Sequence, residues 1–160
     1  STLDYRRVLD ISGYDRLNLH DATRFIATMN YGYIGTRDLN EALVSRFLVI
    51  DMPTISENDL AKLFKENTKL NNGAIKIFTK LFLDLQEKSL NSEISSKSID
   101  LRGLLSSIEL MNRGLDIKDS LELGIVDKTF DDYEREIVTD VIDTLFSKNM
   151  DRADLFEWWK

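Results

Sequence analysis

One amide and two guanidinium groups are the side chains of this sequence best placed to do chemistry. Asn30 closely follows a short apolar run at 25–28. A β-leaning run with so few polar residues is typical of a strand that is buried on both faces in a parallel sheet. Ligands of open α/β sheets bind beyond the carboxyl ends of the strands. Asn30 is therefore predicted to be a site residue.

Two arginines occupy positions, next to an apolar run and in the first turn of a helix, where a positive charge is not expected for structural reasons. Arg46 stands at the junction between a predicted helix and a second apolar run at 47–50. Arg102 falls in the first turn of another predicted helix, where a cation opposes the macrodipole by roughly 0.3–1 kcal/mol unless an anion lies nearby. Its position therefore favours a phosphate. Simpler interpretations stay open: a solvated surface side chain for Arg46, and local pairing of Arg102 with Asp100 or Glu109.

A hairpin, two strands and one helix are predicted to position Asn30 and Arg46. Alternating segments at 8–11 and 16–19 flank a turn-forming stretch and indicate the hairpin. The apolar runs on either side of a helix at 37–45 indicate two strands.

The single proline, Pro53, marks the predicted boundary between a domain at 1–52 and a helical domain at 53–160. Trp158 and Trp159 carry a large apolar area and are predicted to dock on the helices or on a neighbouring subunit. Periodicity and capping residues predict helices at about 56–67, 74–89, 100–113, 116–124 and 129–148.

The order ATMN, then GTRDLNEAL, then SRF before an apolar run resembles the second half of an AAA+ ATPase core of the MoxR-like or dynein-related type. The resemblance implies that Asn30 is sensor 1, which helps to position the attacking water. It implies that Arg46 is the arginine finger of a neighbouring site, and that Arg102 is sensor 2. The chemistry agrees, because an amide both donates and accepts and a guanidinium spreads charge over a phosphoryl group in transfer.

The same resemblance implies a mainly α protein with a small α/β part. That part is the back half of a P-loop core, a hairpin plus two parallel strands, and an α-helical lid follows it. It also implies ATP and Mg²⁺ in the parent protein, a homo-oligomeric ring and remodelling of a protein substrate. The hairpin would face the pore or the substrate, or simply cover the sheet edge.

A phosphate cradle is missing from the sequence. No GxxxxGK[ST] occurs, and no apolar strand ends in paired acidic residues. This chain alone is therefore not expected to hydrolyse ATP, and the simplest explanation is the carboxyl-terminal part of a longer ATPase. A truncated core would expose apolar surface and favour self-association. The alternative is a non-enzymatic helical module that binds protein through the flanks of the sheet and its terminal aromatics.

Composition excludes several other classes. A formal charge of −7 and a pI near 4.8 disfavour a nucleic-acid surface. The absence of cysteine excludes disulfides and thiolate metal sites, and with His20 as the sole histidine no Ser-His-Asp triad or His-based metal site can form. No metal site is expected. No apolar run approaches membrane-spanning length and no signal-peptide pattern appears, so a cytoplasmic protein is expected.

Overall fold

Two short β-strands and six α-helices are formed by the residues that this computed structural model describes, which are 7–29, 41–147 and 149–157. The chain divides into two units, Ser1–Pro53 and Thr54–Lys160. The hairpin and one short helix belong to the first unit, and the other five helices belong to the second. The described structure is thus mainly helical, as the sequence predicts.

The hairpin predicted near the start of the chain is present. Strand β1 (Val8–Leu9) pairs in antiparallel fashion with strand β2 (Leu17–Asn18). The Arg7 guanidinium braces it, because its Nη2 donates to the carbonyl oxygens of His20 at 3.0 Å and Thr23 at 2.9 Å. These two bonds tie the residue before β1 to the segment after β2.

Helix α1 (Glu41–Val44) lies at the end of the helix predicted over 37–45. Residues 37–40 and the predicted cap, Thr36, lie outside the described residues. Arg46 follows α1 directly in a turn.

The two predicted parallel strands are not formed by the described residues, so this part of the predicted fold is not confirmed. The stretches 25–29 and 47–55 contain neither helix nor strand. Their apolar side chains are largely exposed, with Ile26 at 92% and Leu48 at 96%. A strand is held by ladder hydrogen bonds to a neighbour, and no described residue supplies one here. An apolar pattern alone therefore does not fix a strand.

The second unit is a bundle of helices. Its α-helices among the described residues are α2 (Glu57–Asn67), α3 (Asn72–Leu90), α4 (Leu101–Arg113), α5 (Ile117–Gly124) and α6 (Asp132–Leu145). Short 3₁₀ turns lie at Ser96–Ser98, Val126–Lys128 and Arg152–Asp154.

Local capping chemistry explains most of these helix ends. The Ser56 hydroxyl accepts the N–H of Asp59 at 3.2 Å and starts α2, as predicted. The Asp131 carboxylate accepts the N–H of Glu134 at 3.0 Å and starts α6, slightly later than the start predicted at about 129. Gly114, with φ of 118°, ends α4 in the left-handed conformation that glycine adopts without a steric penalty.

The core of the second unit is aromatic at its centre. Phe78 on α3 is fully buried, with its ring centroid 6.4 Å from that of Phe64 and 5.2 Å from that of Phe146. Leu155 and Phe156 are also buried, and Phe156 forms a β-bridge with Leu70. The end of the described chain is thus part of the core. Trp158 and Trp159 lie outside the described residues.

No membrane-spanning helix occurs in the part of the chain that the structure describes, since none of its helices combines enough length with enough hydrophobicity.

Candidate functional site at the start of helix α4

The first turn of α4 carries Arg102, and three sets of contacts hold this turn in place. The first set fixes the approach to the helix. Ser95 and Ser98 each donate a hydroxyl hydrogen bond of 2.9 Å to the Glu134 carboxylate on α6. The segment that leads into α4 is therefore tied to another helix.

The second contact is an ion pair across the start of the helix. The Lys128 Nζ lies 2.8 Å from the Asp100 Oδ2, with side-chain exposures of 50% and 29%. Burial by itself would raise the pKa of Asp100, but the hydrogen bond and charge of Lys128, together with the backbone N–H groups of Gly103 and Arg102, outweigh burial and lower this pKa. Asp100 therefore stays charged and joins the start of α4 to the turn that follows α5.

The third contact is a close approach of α4 and α5 at small residues. A Cβ placed on Gly103 would lie 2.2 Å from the carbonyl oxygen of Gly124, and one on Gly124 would lie 1.9 Å from the Ser107 Oγ. Only glycine at both positions permits this separation. The Ser107 hydroxyl is buried and donates to the Gly103 carbonyl at 3.0 Å.

Arg102 itself is exposed, and its guanidinium has no hydrogen bond or ion pair with another described residue. Both carboxylates that could have paired with it locally are engaged elsewhere: Asp100 by Lys128, and Glu109 by the Arg113 Nε at 2.8 Å. The interpretation of Arg102 as a locally paired residue therefore does not hold among the described residues. A guanidinium in the first turn of a helix can receive an anion such as a phosphate.

Arg46 is also exposed, and its Nη1 donates to the carbonyl oxygen of Ala42, one turn back in the chain. Both interpretations of Arg46, a solvated head or a group that reaches a neighbouring subunit, require an exposed side chain. Its exposure therefore does not decide between them.

The three predicted site residues fall in different parts of the chain. Asn30 lies outside the described residues, Arg46 belongs to the first unit, and Arg102 belongs to the second.

Two grooves open on the helical unit away from Arg102. One, of about 420 Å³, has Asp84, Lys88 and Val141 among its lining residues, and the other, of about 370 Å³, has Lys69 and Phe156. Neither is lined by Arg102.

The sequence did not single out the residues that hold Arg102 in place. Lys128 lies 28 positions from Asp100, so nothing local signals the pair. Gly103 and Ser107 are four residues apart on one helical face, and this spacing of small residues was the available signal for a close helix contact.

Fold and site together define a helical bundle with an unpaired arginine at one helix start, joined to a smaller unit with a β-hairpin. No protein-family model matches the chain, and no solved structure is significantly similar to it. The chain is similar to the uncharacterized protein YojN of Bacillus subtilis, with 32% identity over 147 residues, which is 90% of this chain and 48% of YojN.

Staphylococcal proteins are similar to nearly the same extent. An uncharacterized protein of Staphylococcus epidermidis is 32% identical over 147 residues, which is 90% of this chain and 55% of that protein. One of Staphylococcus aureus is 29% identical over 146 residues, again 90% and 55%. The chain thus spans about half the length of the curated relatives it matches.

Proposed function

We propose that this chain is the carboxyl-terminal part of an AAA+ ATPase of the MoxR-like or dynein-related type that uses ATP to remodel a protein partner. Asn30 and Arg102 contact the γ-phosphate of their own site, and Arg46 completes the site of the neighbouring subunit in a homo-oligomeric ring. ATP and Mg²⁺ are bound mainly by residues outside this chain.

The observation that carries the proposal is the state of Arg102. A cation in the first turn of a helix is unfavourable by roughly 0.3–1 kcal/mol. No described carboxylate forms an ion pair with Arg102, because Asp100 and Glu109 already have other cationic partners. The surrounding contacts nevertheless hold the start of α4 firmly. A γ-phosphate would supply the missing anion, and this is the role that the resemblance implies for Arg102.

Lid rotation would link this contact to mechanical work. Arg102 belongs to the helical unit, whereas Asn30 and Arg46 belong to the preceding one. A nucleotide that binds both Arg102 and the core would hold the two parts in one arrangement, and loss of the γ-phosphate would release it. The partner that would be remodelled is a protein of unidentified type.

A first test needs only sequence. About half of YojN lies outside the region that this chain matches. The proposal expects a strand followed by GxxxxGK[ST] in that half, because a P-loop is needed to wrap the phosphates. An unrelated domain there would contradict the proposal.

The decisive experiment compares two arginines of α4 in the full-length natural polypeptide. Arg102→Ala should lower ATP turnover by about 10- to 100-fold, since a hydrogen bond to a charged group contributes about 1.5–3 kcal/mol. Arg113→Ala is the matched control, because Arg113 lies on the same helix, is exposed and pairs with Glu109. Its turnover should stay near that of the parent protein. Equal turnover of the two variants would refute the role of Arg102.

Arg46→Ala tests the contact between subunits. It should lower turnover by about 10³-fold or more, as removal of an arginine finger does. Mixing this variant with a subunit that has an intact Arg46 but an inactive nucleotide site should restore part of the activity. Full turnover of Arg46→Ala alone would remove the finger assignment.

A non-enzymatic protein-binding module is the second candidate, and one observation favours it. Phe130 is 90% exposed and Tyr133 is 69% exposed, three residues apart at the start of α6. Exposed aromatic residues that lie close together are typical of protein-binding surfaces. This candidate predicts that full-length protein binds no ATP and that Phe130→Ala weakens capture of a partner.

A further inference from the structure

The first unit exposes an unusual number of large apolar side chains. We call them the 25–52 apolar surface. Its members with exposed fractions between 44% and 96% are Phe25, Ile26, Met29, Leu48, Val49, Ile50 and Met52. Single exposed apolar residues are ordinary, but two clustered runs indicate a surface that another structure covers.

The backbone of these runs lacks ladder partners as well. Within the described residues the sheet consists of β1 and β2, and neither 25–29 nor 48–52 takes part in it. Buried N–H and C=O groups must be paired, so whatever covers these side chains must also supply hydrogen bonds. A neighbouring β-strand supplies both at once.

We infer that the 25–52 apolar surface forms two strands of a larger sheet. The other strands and covering helices of that sheet come from a part of the same polypeptide outside these 160 residues. Each run contains one polar residue, Thr28 in 25–29 and Asp51 in 48–52, and is otherwise apolar, which is close to the pattern of strands covered on both faces. A second copy that adds to one exposed edge would cover one edge and leave the faces open. The occupant must therefore provide layers on both sides.

The relatives are long enough to provide these layers. About half of each curated relative lies outside the matched region, 52% in YojN if the 48% covered is subtracted from the whole. A segment of that size can hold several strands with their connecting helices. This inference does not depend on nucleotide chemistry, since any enclosing α/β layer would satisfy it.

Hydrogen–deuterium exchange tests the inference directly. It is measured on the full-length natural polypeptide and on the 160-residue chain, together with the oligomeric state of each by analytical ultracentrifugation. In the full-length polypeptide, amides at 25–29 and 48–52 should exchange at a rate about 100-fold lower than in the chain alone, or lower still. The chain alone should exchange rapidly there and self-associate.

A pair of leucine variants distinguishes self-association through this surface from nonspecific hydrophobic association. Leu48→Asp should abolish self-association of the 160-residue chain and make the full-length polypeptide insoluble or unfolded in its first unit. Leu90→Asp is the control, because Leu90 is a leucine of the helical unit that is 78% exposed. It should leave both properties unchanged.

Several results would overturn the inference. Protection of these amides in a monomeric 160-residue chain would show that the helical unit covers the surface. Protection that disappears when the full-length polypeptide is diluted would assign the surface to a second copy. A natural polypeptide no longer than this chain would also overturn it. Failure of the nucleotide proposal looks different, since Arg102→Ala would then have no effect while protection at 25–29 and 48–52 persists.

Discussion

Replacing Gly103 with alanine should destabilise the helical unit, although alanine is the better helix former. The added Cβ would lie 2.2 Å from the Gly124 carbonyl oxygen, whereas ordinary contacts begin at 3.4 Å. Helices α4 and α5 would therefore have to separate by 3.4 − 2.2 = 1.2 Å. The obstacle is backbone, so no side-chain rotation can relieve it.

The size of the effect follows from two opposing contributions. Overpacking at a close backbone contact costs about 3 kcal/mol at the upper end of its range. The higher helix propensity of alanine relative to glycine adds back about 1 kcal/mol of stability. A net loss of about 2 kcal/mol in the free energy of unfolding should lower the melting temperature by roughly 10 °C for a unit of this size.

Thermal and urea denaturation followed by far-UV circular dichroism measure this change. Gly73→Ala is the matched control, because its nearest contact is a single side-chain atom, the Asn71 Oδ1 at 3.2 Å, which needs to shift by only 3.4 − 3.2 = 0.2 Å. Its stability should stay level or rise by up to about 1 kcal/mol. If Gly103→Ala proves as stable as the parent chain, the close approach of α4 and α5 is wrong.

Two further predictions concern the same unit. Burial opposes ionisation of Asp100, but Lys128 and the backbone N–H groups of Gly103 and Arg102 together lower its pKa from 3.8. The stabilising effect of the Asp100 carboxylate is therefore present above pH 3.8 and is lost as pH falls below that value. The difference in unfolding free energy between the parent chain and Asp100→Asn should therefore shrink between about pH 6 and about pH 3, and a constant difference would contradict this. Asn71→Ala should cost about 1–2 kcal/mol in urea denaturation, because Asn71 caps α3 and donates to the Asp154 carbonyl at 2.6 Å. Asn72→Ala, at an exposed position next to the cap, should change stability by no more than about 0.5 kcal/mol.

Some local predictions failed because one residue type can serve opposite purposes. The sequence predicts that helix α3 begins at about residue 74, after a break at 71–73. In the structure α3 begins at Asn72, with Asn71 as its cap and Gly73 inside its first turn. An asparagine followed by glycine favours a turn in isolation. The apolar stripe of α3 packed on the core overrides that preference, since tertiary contacts exceed local propensity.

The sequence by itself determined the helices of the second unit and the hairpin of the first. Apolar spacing, a capping residue such as Ser56 and a terminating Gly114 act within a few positions of one another, so they can be recognised in the order of residues. The same locality explains why Arg102 could be assigned to a first helical turn before its surroundings were known.

Only the tertiary structure decided what surrounds that arginine. In the tertiary structure Asp100 forms an ion pair with Lys128, and Gly103 packs against Gly124. Both contacts depend on how α4 packs against α5. The tertiary structure also left the apolar runs at 25–29 and 48–52 without the strands that their pattern indicates. The physical reason is that capping and periodicity are interactions within a segment. Ion pairs, close helix contacts and sheet ladders need a second segment, whose position no local pattern contains.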